Sequence, residues 1–457
     1  MGQDTRLMAD PGHPRDLQQW LAWQERLSVR EIDLGLERVQ RVGARLGVLD
    51  PAVPVITVAG TNGKGSIVAY LEAMLSAGGY RCGTYTSPHL FVYNERVRVG
   101  GRPCSDTELV AAFEAVEQAR DGVPLTYFEF GTLAALRAFQ EAGVDVLLLE
   151  VGLGGRLDAV NAVDPDVAVI ASIGLDHADW LGDTLSAVAR EKAGIMRRDR
   201  PAVFAAPDMP PALWEAADGL GARVWAPGHG FSRSGGDDGW TVSMDDGFKL
   251  AGLPTPGIAG PHQRDNAAAA ITALGRIRHR LPLPGAAMTR GLADARLPGR
   301  CQTIAGPVEW LVDIAHNADA VAGLAGHLRT LPPAAGRTWV LLGAMARKER
   351  EDLLAPLAGA VDGYFLVTLP QPGAWTGPDL AEVAARLDPH TPVHFVGPAA
   401  SVFDAMDGWL RPGDRVVAFG SFHTVEWLLS AARRETGDHA TRGQWLPRID
   451  DAVARSA

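Results

Sequence analysis

Cysteine is scarce in this chain: Cys82, Cys104 and Cys301 are three thiols in 457 residues, an odd number at wide spacing. They cannot staple a small secreted fold or form a four-thiolate zinc site, so a reducing, cytoplasmic setting is expected. Long apolar runs are missing as well, none approaching the ~20 residues that a membrane-spanning helix needs. The opening MGQDTRLMADPGHPRD has no apolar core for a secretory signal, and Arg6 stands where an acylation signal would place Ser or Thr. Neither export nor membrane insertion is expected. Positive charge is in deficit, with 43 Lys and Arg against 54 Asp and Glu and a formal net charge of −11. Such a chain is not built to coat nucleic acid or anionic lipid, and an anionic substrate would have to be met by a local basic site.

What remains is an ordinary globular composition, 47% apolar and 21% charged, long enough at ~150 residues per domain for two or three domains. After a helical opening expected over roughly Leu17 to Leu46, short apolar runs alternate with longer amphipathic segments. Val53 to Ala59, Asp145 to Leu149 and Asp166 to Ala171 are apolar throughout, as strands of a helix-covered parallel sheet should be. Ser66 to Ala77, stopped by Gly78 and Gly79, and Gly131 to Ala142 have helical spacing. Phe231 to Leu253, with Gly-Gly-Asp-Asp-Gly inside it, suggests a peripheral hairpin or small antiparallel appendage. A turn at Leu297-Pro-Gly-Arg300 precedes a fresh alternation, with strands expected at Glu309 to Val312, Trp339 to Leu342, Tyr364 to Val367, Val393 to Val396 and Val416 to Phe419. The pattern is α/β: domain 1–298, then a second, smaller doubly wound α/β domain, 299–457, whose polar tail after Ala432 is expected to be loose or weakly helical.

The sharpest chemical signal is Val55-Ile-Thr-Val-Ala-Gly-Thr-Asn-Gly-Lys-Gly-Ser66, a strand entering a glycine-rich turn and then a helix. Glycines let backbone N–H groups approach phosphate, the helix N-terminus adds positive potential, and Lys64 supplies a mobile charge. The turn departs from the common nucleotide loop, because Val58 replaces its first glycine and Gly65 separates Lys64 from the hydroxyl of Ser66. Glu150 ends an apolar strand and precedes Val-Gly-Leu-Gly-Gly155. A carboxylate beside a triphosphate needs a cation between them, so Glu150 reads as a magnesium ligand, although alone it would equally serve as a strand-end glutamate in a loop. Ser87 and His177 also follow expected strands. In an open α/β sheet Lys64, Ser87, Glu150 and His177 would then share one edge. A lone histidine in such a place is more often a hydrogen-bonded structural residue, and nitrogen is not the preferred ligand of Mg²⁺.

Several longer motifs narrow the class: Gly60-Thr-Asn-Gly-Lys-Gly-Ser66, Ser87-Pro-His89, Thr126-Tyr-Phe-Glu129, Leu149-Glu-Val-Gly-Leu-Gly-Gly-Arg-Leu-Asp-Ala159, Asp176-His-Ala-Asp-Trp-Leu-Gly182, Arg190-Glu-Lys-Ala-Gly-Ile195, Pro298-Gly-Arg300 and Asp313-Ile-Ala-His-Asn317. Together, from about Asp33 to about Leu428, they resemble the dihydrofolate synthase/folylpolyglutamate synthase family of Mur ligases. The resemblance implies a P-loop-type central ATPase domain joined to the smaller α/β domain. It also implies ATP-dependent ligation in which a substrate carboxylate is phosphorylated and the amine of L-glutamate displaces phosphate from the acyl phosphate. On the same resemblance, Thr61, Asn62, Gly63, Lys64, Gly65 and Ser66, with Asn266, Arg300 and Asp313, would contact ATP. Ser87, Glu150 and His177 would hold Mg²⁺, and His316 would line the cleft between domains. Lys192 matches a position that carries a carbamylated lysine, whose carbamate would bind a second Mg²⁺; unmodified, it could be a helix-surface lysine beside Glu191.

Dihydropteroate would meet Asp33, Leu34, Gly35 and Leu36, then Thr126, Tyr127, Phe128 and Glu129, then Leu157, Asp158 and Ala159. Phe128 offers an aromatic wall and Asp158 an acceptor for pterin N–H groups, whereas Leu34 and Leu36 could equally be packing residues. A monomer that glutamylates both dihydropteroate and folates is the expectation, with a monofunctional enzyme of either kind or another Mur-type amide ligase as alternatives. Ala318 stands where Pro is usual after Asn317, and Ala344-Met-Ala-Arg-Lys-Glu-Arg350 matches the corresponding loop loosely.

Overall fold

The computed structural model describes residues 14, 16–28, 32–346, 348–434 and 445. Eleven strands form the first sheet: β1 (Val55–Ala59), β2 (Cys82–Tyr85), β3 (Val97–Val99), β4 (Arg102–Pro103), β5 (Val146–Glu150), β6 (Val167–Ile170), β7 (Pro201–Phe204), β8 (Arg223–Pro227), β9 (Gly230–Gly236), β10 (Gly239–Met244) and β11 (Lys249–Leu253). Their order is β11-β10-β9-β8-β7-β6-β1-β5-β2-β3-β4. From β8 across to β2 every pairing is parallel, with Thr57 aligned to Leu149 on one side and Ala168 on the other. Strands β1, β5 and β6 are buried at every position because helices cover both faces. Alternate residues serve the two faces: Val55 and Ala59 join one apolar cluster, Ile56 and Val58 the other.

The second sheet holds β12 (Gln302–Ile304), β13 (Glu309–Val312), β14 (Thr338–Leu342), β15 (Gly363–Thr368), β16 (Val393–Pro398) and β17 (Arg415–Phe419), ordered β12-β13-β17-β14-β15-β16. Only β12 runs antiparallel, and alternate residues again feed two cores, Leu311 and Val417 in one, Trp310 and Val416 in the other.

Three local expectations need correction. The opening is not helical throughout: it holds two helices, Leu17–Gln24 and Glu37–Leu46, with residues 32–36 between them outside any helix. Asp16 caps the first by accepting from Gln19 N at 2.8 Å, whereas Asp33 turns its carboxylate to Arg38 at 2.8 Å and holds the connecting chain off the helical path. The segment Phe231 to Leu253 is not an appendage: its strands extend the first sheet, and Phe231, Trp240, Val242, Met244 and Leu253 are buried in the core under the helix Gln263–Arg276. The helix expected from Gly131 starts at Tyr127, because Thr126 and Glu129 form a capping box, a device worth ~1 kcal/mol. The last helix, Phe422–Arg434, continues two residues past Ala432. The rest of the polar tail lies outside the described residues apart from Trp445, whose carbonyl accepts from Trp310 Nε1 at 2.7 Å.

Candidate active site

The carboxyl ends of the parallel strands in both sheets open on one cavity of about 1660 Å³. The turn after β1 is bound to the one after β6. Thr61 Oγ1 donates to Gly174 O at 2.9 Å and accepts from Gly174 N at 3.0 Å, while Asn62 N donates to Ser172 Oγ at 3.0 Å. Gly60 and Gly63 have φ of 153° and 88°, and neither site has room for a side chain. A Cβ on Gly60 would lie 2.7 Å from Ala171 Cβ, and one on Gly63 would lie 2.9 Å from Asn266 Oδ1. The helix Lys64–Ala77 therefore begins with its amides facing the cavity and Asn266 against the turn. Lys64 Nζ folds onto the turn's own carbonyls, Gly60 O at 3.0 Å and Thr61 O at 3.4 Å. Burial lowers its affinity for a proton, against the pull of Glu150 and Asp176. Ser66 is buried, its Oγ accepting from Gln263 Nε2 at 3.2 Å.

Glu150 is the last residue of β5, buried, with its Oε2 accepting from Ser87 N at 3.4 Å. Burial raises its pKa, against the pull of Lys64 and Arg300, and no side-chain ion pair with a described residue neutralises it. A buried, unpaired carboxylate beside a phosphate-binding turn suits a hard cation completed by phosphate oxygens. Among the described residues there is no group of three His, Cys, Asp or Glu that could hold a metal unaided. The donors fit Mg²⁺ that arrives with nucleotide, not a preformed cage. His177 lines the same cavity with φ 54°; poor solvation in the cleft lowers its pKa to about 4, against the pull of Asp176. Lys192 is 4% exposed, reaches the cavity, and makes no hydrogen bond or ion pair with a described residue. Burial, then the charge of Lys64, brings its pKa down to about 7. It is not the surface lysine that its helix could equally have carried.

The second domain closes the far wall. Arg300 is half-buried and lines the cavity, with its guanidinium 5.6 Å over the ring of Phe422, and Nη2 lies 3.9 Å from the space above Gly65. Asp313 has a duty the sequence did not disclose. Its two oxygens accept from Cys301 N at 2.6 Å and Ala315 N at 2.7 Å, pinning the Arg300 and His316 turns together. His316 Nδ1 donates to Ile314 O at 2.9 Å, leaving Nε2 3.5 Å from Asp176 Oδ2. Asp176 also accepts from Asn317 Nδ2 at 3.2 Å and pairs with Lys348. Asn317 and Asn62 exchange amide hydrogen bonds at 3.1 and 3.2 Å. Burial opposes ionisation of Asp176, yet His316, His177 and Lys348 together hold its carboxyl well below the usual range. Asp176, Lys348 and Asn317 were not singled out from sequence, although each stood inside a quoted motif or loop, which was the available signal.

The three segments expected to meet a pterin line one end of the cavity, except Leu36, which precedes the helix Glu37–Leu46 and faces elsewhere. Arg38 joins two of them, reaching Asp33 and Glu129 Oε1 at 2.9 Å. Thr126 and Glu129, which line the cavity, also cap the helix that starts at Tyr127, and Glu129 bonds Arg38. Phe128 stands 5.8 Å from the ring of Tyr85 and against Gly152. Asp158 is buried and accepts from Leu153 N at 2.9 Å and Val160 N at 3.0 Å; burial nevertheless raises its pKa to about 6. Gln24, also in this wall and unnoticed in the sequence, is buried with both amide atoms unpartnered.

Residues 58–274 match the Mur ligase middle domain and residues 299–422 the Mur ligase glutamate ligase domain. The dihydrofolate synthase/folylpolyglutamate synthase of Escherichia coli strain K12 is 42% identical over 423 residues, 92% of this chain and 97% of that one. This chain belongs to the dihydrofolate synthase/folylpolyglutamate synthase family of Mur ligases. The ligase superposes on the solved structure of E. coli FolC in complex with DHPP and ADP with a TM-score of 0.87 at 40% identity, covering 94% of this chain and all of that one. It is similar too to the bifunctional enzyme from Yersinia pestis complexed with AMPPNP and Mn ion, with a TM-score of 0.85, 39% identity, and coverage of 93% and 100%. Among the described residues no helix of the ligase is long and apolar enough to cross a membrane.

Proposed function

We propose that this ligase joins L-glutamate both to dihydropteroate and to the tail of folates, working as a monomer in the cytoplasm. The carrying observation is the shared cavity: the turn at Gly60–Ser66, the buried Glu150 and the aromatic pocket around Phe128 open on one space closed by Arg300 and His316. Residues 1–298 would bind ATP and pterin, and residues 299–457 would complete the site when the domains close.

A carboxylate is a poor electrophile, and phosphorylation gives it a leaving group. Amides of the turn, Asn266, Lys64 and Arg300 would orient the triphosphate and offset the charge that builds during transfer. Glu150, Ser87 and His177 would hold Mg²⁺, which supplies further neutralisation when bound. The wall formed by His316, Asp313 and Phe422 would keep water from the acyl phosphate until the glutamate amine attacks, forming the C–N bond and releasing phosphate. Lys192 supports a further reading as a carbamate: a buried amine with no partner among the described residues, open to the cavity, would capture CO₂, lose a proton and present an oxygen ligand to a second Mg²⁺.

The deciding assay mixes the purified protein with ATP, Mg²⁺, glutamate and either dihydropteroate or tetrahydrofolate, following ADP and glutamylated product. Turnover with both is expected. Turnover with one alone rejects the double activity, and turnover with neither rejects the reading.

A further inference from the structure

The opposite edge of the first sheet, where the parallel strands begin, holds a second pocket of about 360 Å³. Pro201 opens β7 and Arg223 opens β8, so the pocket faces away from the nucleotide turn. Its walls carry Arg223, Trp225, Asp246, Arg276, Arg278 and His279. Arg276, whose side chain is 8% exposed, lies 4.7 Å over the Trp225 ring and donates through Nη2 to Asp246 Oδ2 at 2.6 Å. Its Nε is buried without a partner. Arg278 Nη1 donates to the same Asp246 oxygen at 2.8 Å, and the Arg223 side chain has no hydrogen bond or ion pair among the described residues. Two guanidiniums therefore share one carboxylate, with a third, Arg223, in the same pocket and unpaired among the described residues, in a chain whose overall charge is −11.

We propose that this rear pocket binds a compact oxyanion of the phosphate class, held by Arg223 and Arg278 over the stacked Arg276. Guanidinium forks match phosphate oxygens, and an arginine fixed against an indole offers its donors without further ordering. The small volume favours a single phosphate group over an extended polyanion. The helix Gln263–Arg276 links this pocket to the nucleotide end of the molecule, Asn266 and Arg276 being ~15 Å apart along its axis.

The test measures thermal midpoints of the full chain saturated with AMPPNP and Mg²⁺, so that the nucleotide site is filled, with chloride replaced at constant ionic strength by inorganic phosphate or by AMP. Phosphate at tenfold its dissociation constant should raise the midpoint by about 2 °C. The exposed double variant R223A/R278A should keep its midpoint in chloride and its basal ligation rate and lose the phosphate response. D246N, which removes the competing carboxylate, should respond more strongly than the parent. A larger response to AMP than to phosphate assigns the pocket to a phosphomonoester, and an equal one to phosphate itself. No response in the parent, or an undiminished response in R223A/R278A, overturns the proposal.

Discussion

Asp176, in the turn after β6, is ion-paired with Lys348 of the second domain, and their side chains are only 10% and 16% exposed. Four groups converge on this carboxylate, since His316, His177 and Asn317 join Lys348 around it. It is the point at which the two sheets' edges are tied. Removing one partner from such a pair strands the other charge, which commonly costs ~3–5 kcal/mol.

Asp176→Asn should therefore lower kcat/KM for ligation at least tenfold by loosening closure, while ADP binding to the first domain changes little. A double-mutant cycle with Lys348→Met should give coupling of ~1–3 kcal/mol. Additive losses in kcat/KM would show that the pair does not act as a unit.

Lys64 makes no bond that the fold requires, only two to carbonyls of its own turn. Lys64→Ala should leave the thermal midpoint close to that of the parent, because a buried ammonium is costly to hold. Ligation should fall by at least ~10³, the scale of a lost charge on a transferring phosphoryl group. Near-normal product formation would refute its role.

Much of this site was legible because its pieces are short and contiguous. The turn Gly60–Ser66 and strand-end Glu150 each carry their chemistry within a few residues, and apolar runs on either side place them at a sheet edge. The pairing of Asp176 with Lys348 was not legible, because 172 residues separate them and each alone is an ordinary surface charge. Asp313 was legible only in part. Its place in a motif pointed to the cavity that it lines, but its bonds to the amides of Cys301 and Ala315 have no side-chain pattern to read. The break in the helical opening was not legible either, because the bond of Arg38 to Glu129 that accompanies it joins residues 91 apart.

Lys192 carries a pH prediction. With its pKa near 7, the amine is mostly neutral at pH 8 and able to attack CO₂, and mostly protonated at pH 6. Under ¹³C-bicarbonate at pH 8 a carbamate carbon resonance should appear in the parent and be absent from Lys192→Ala. Activity lost below pH 7 should recover in part with added bicarbonate. No labelled carbamate at pH 8 would remove the modification from the mechanism.

Asp158 titrates lower, at about 6, because burial disfavours its charge more than the amides of Leu153 and Val160 favour it. Above that value the carboxylate has lone pairs for pterin N–H groups; below it, protonation removes one acceptor. KM for dihydropteroate should rise several-fold between pH 7 and pH 5, and Asp158→Asn should show a high KM that no longer varies over that window. A variant that kept the parent's profile would place the titration elsewhere.

Glu150 tests whether the site holds strain for the sake of function. Its carboxylate is buried, has one long hydrogen bond to Ser87 N and no ion pair with a described residue, and its pKa is raised by burial. The sign follows. A carboxyl raised above its unfolded value binds a proton more tightly in the folded state, so its ionisation destabilises the fold as pH rises through the folded pKa. Glu150→Gln keeps the shape and removes the charge, so the variant should unfold at a higher midpoint than the metal-free parent at pH 8. Below the unfolded glutamate value, about 4.3, the two midpoints should converge. With Mg²⁺ and AMPPNP present the order should reverse, because the parent gains a cation for its carboxylate and the variant does not. Equal midpoints at pH 8 without metal would show that Glu150 is already compensated, and would weaken its assignment as a metal ligand.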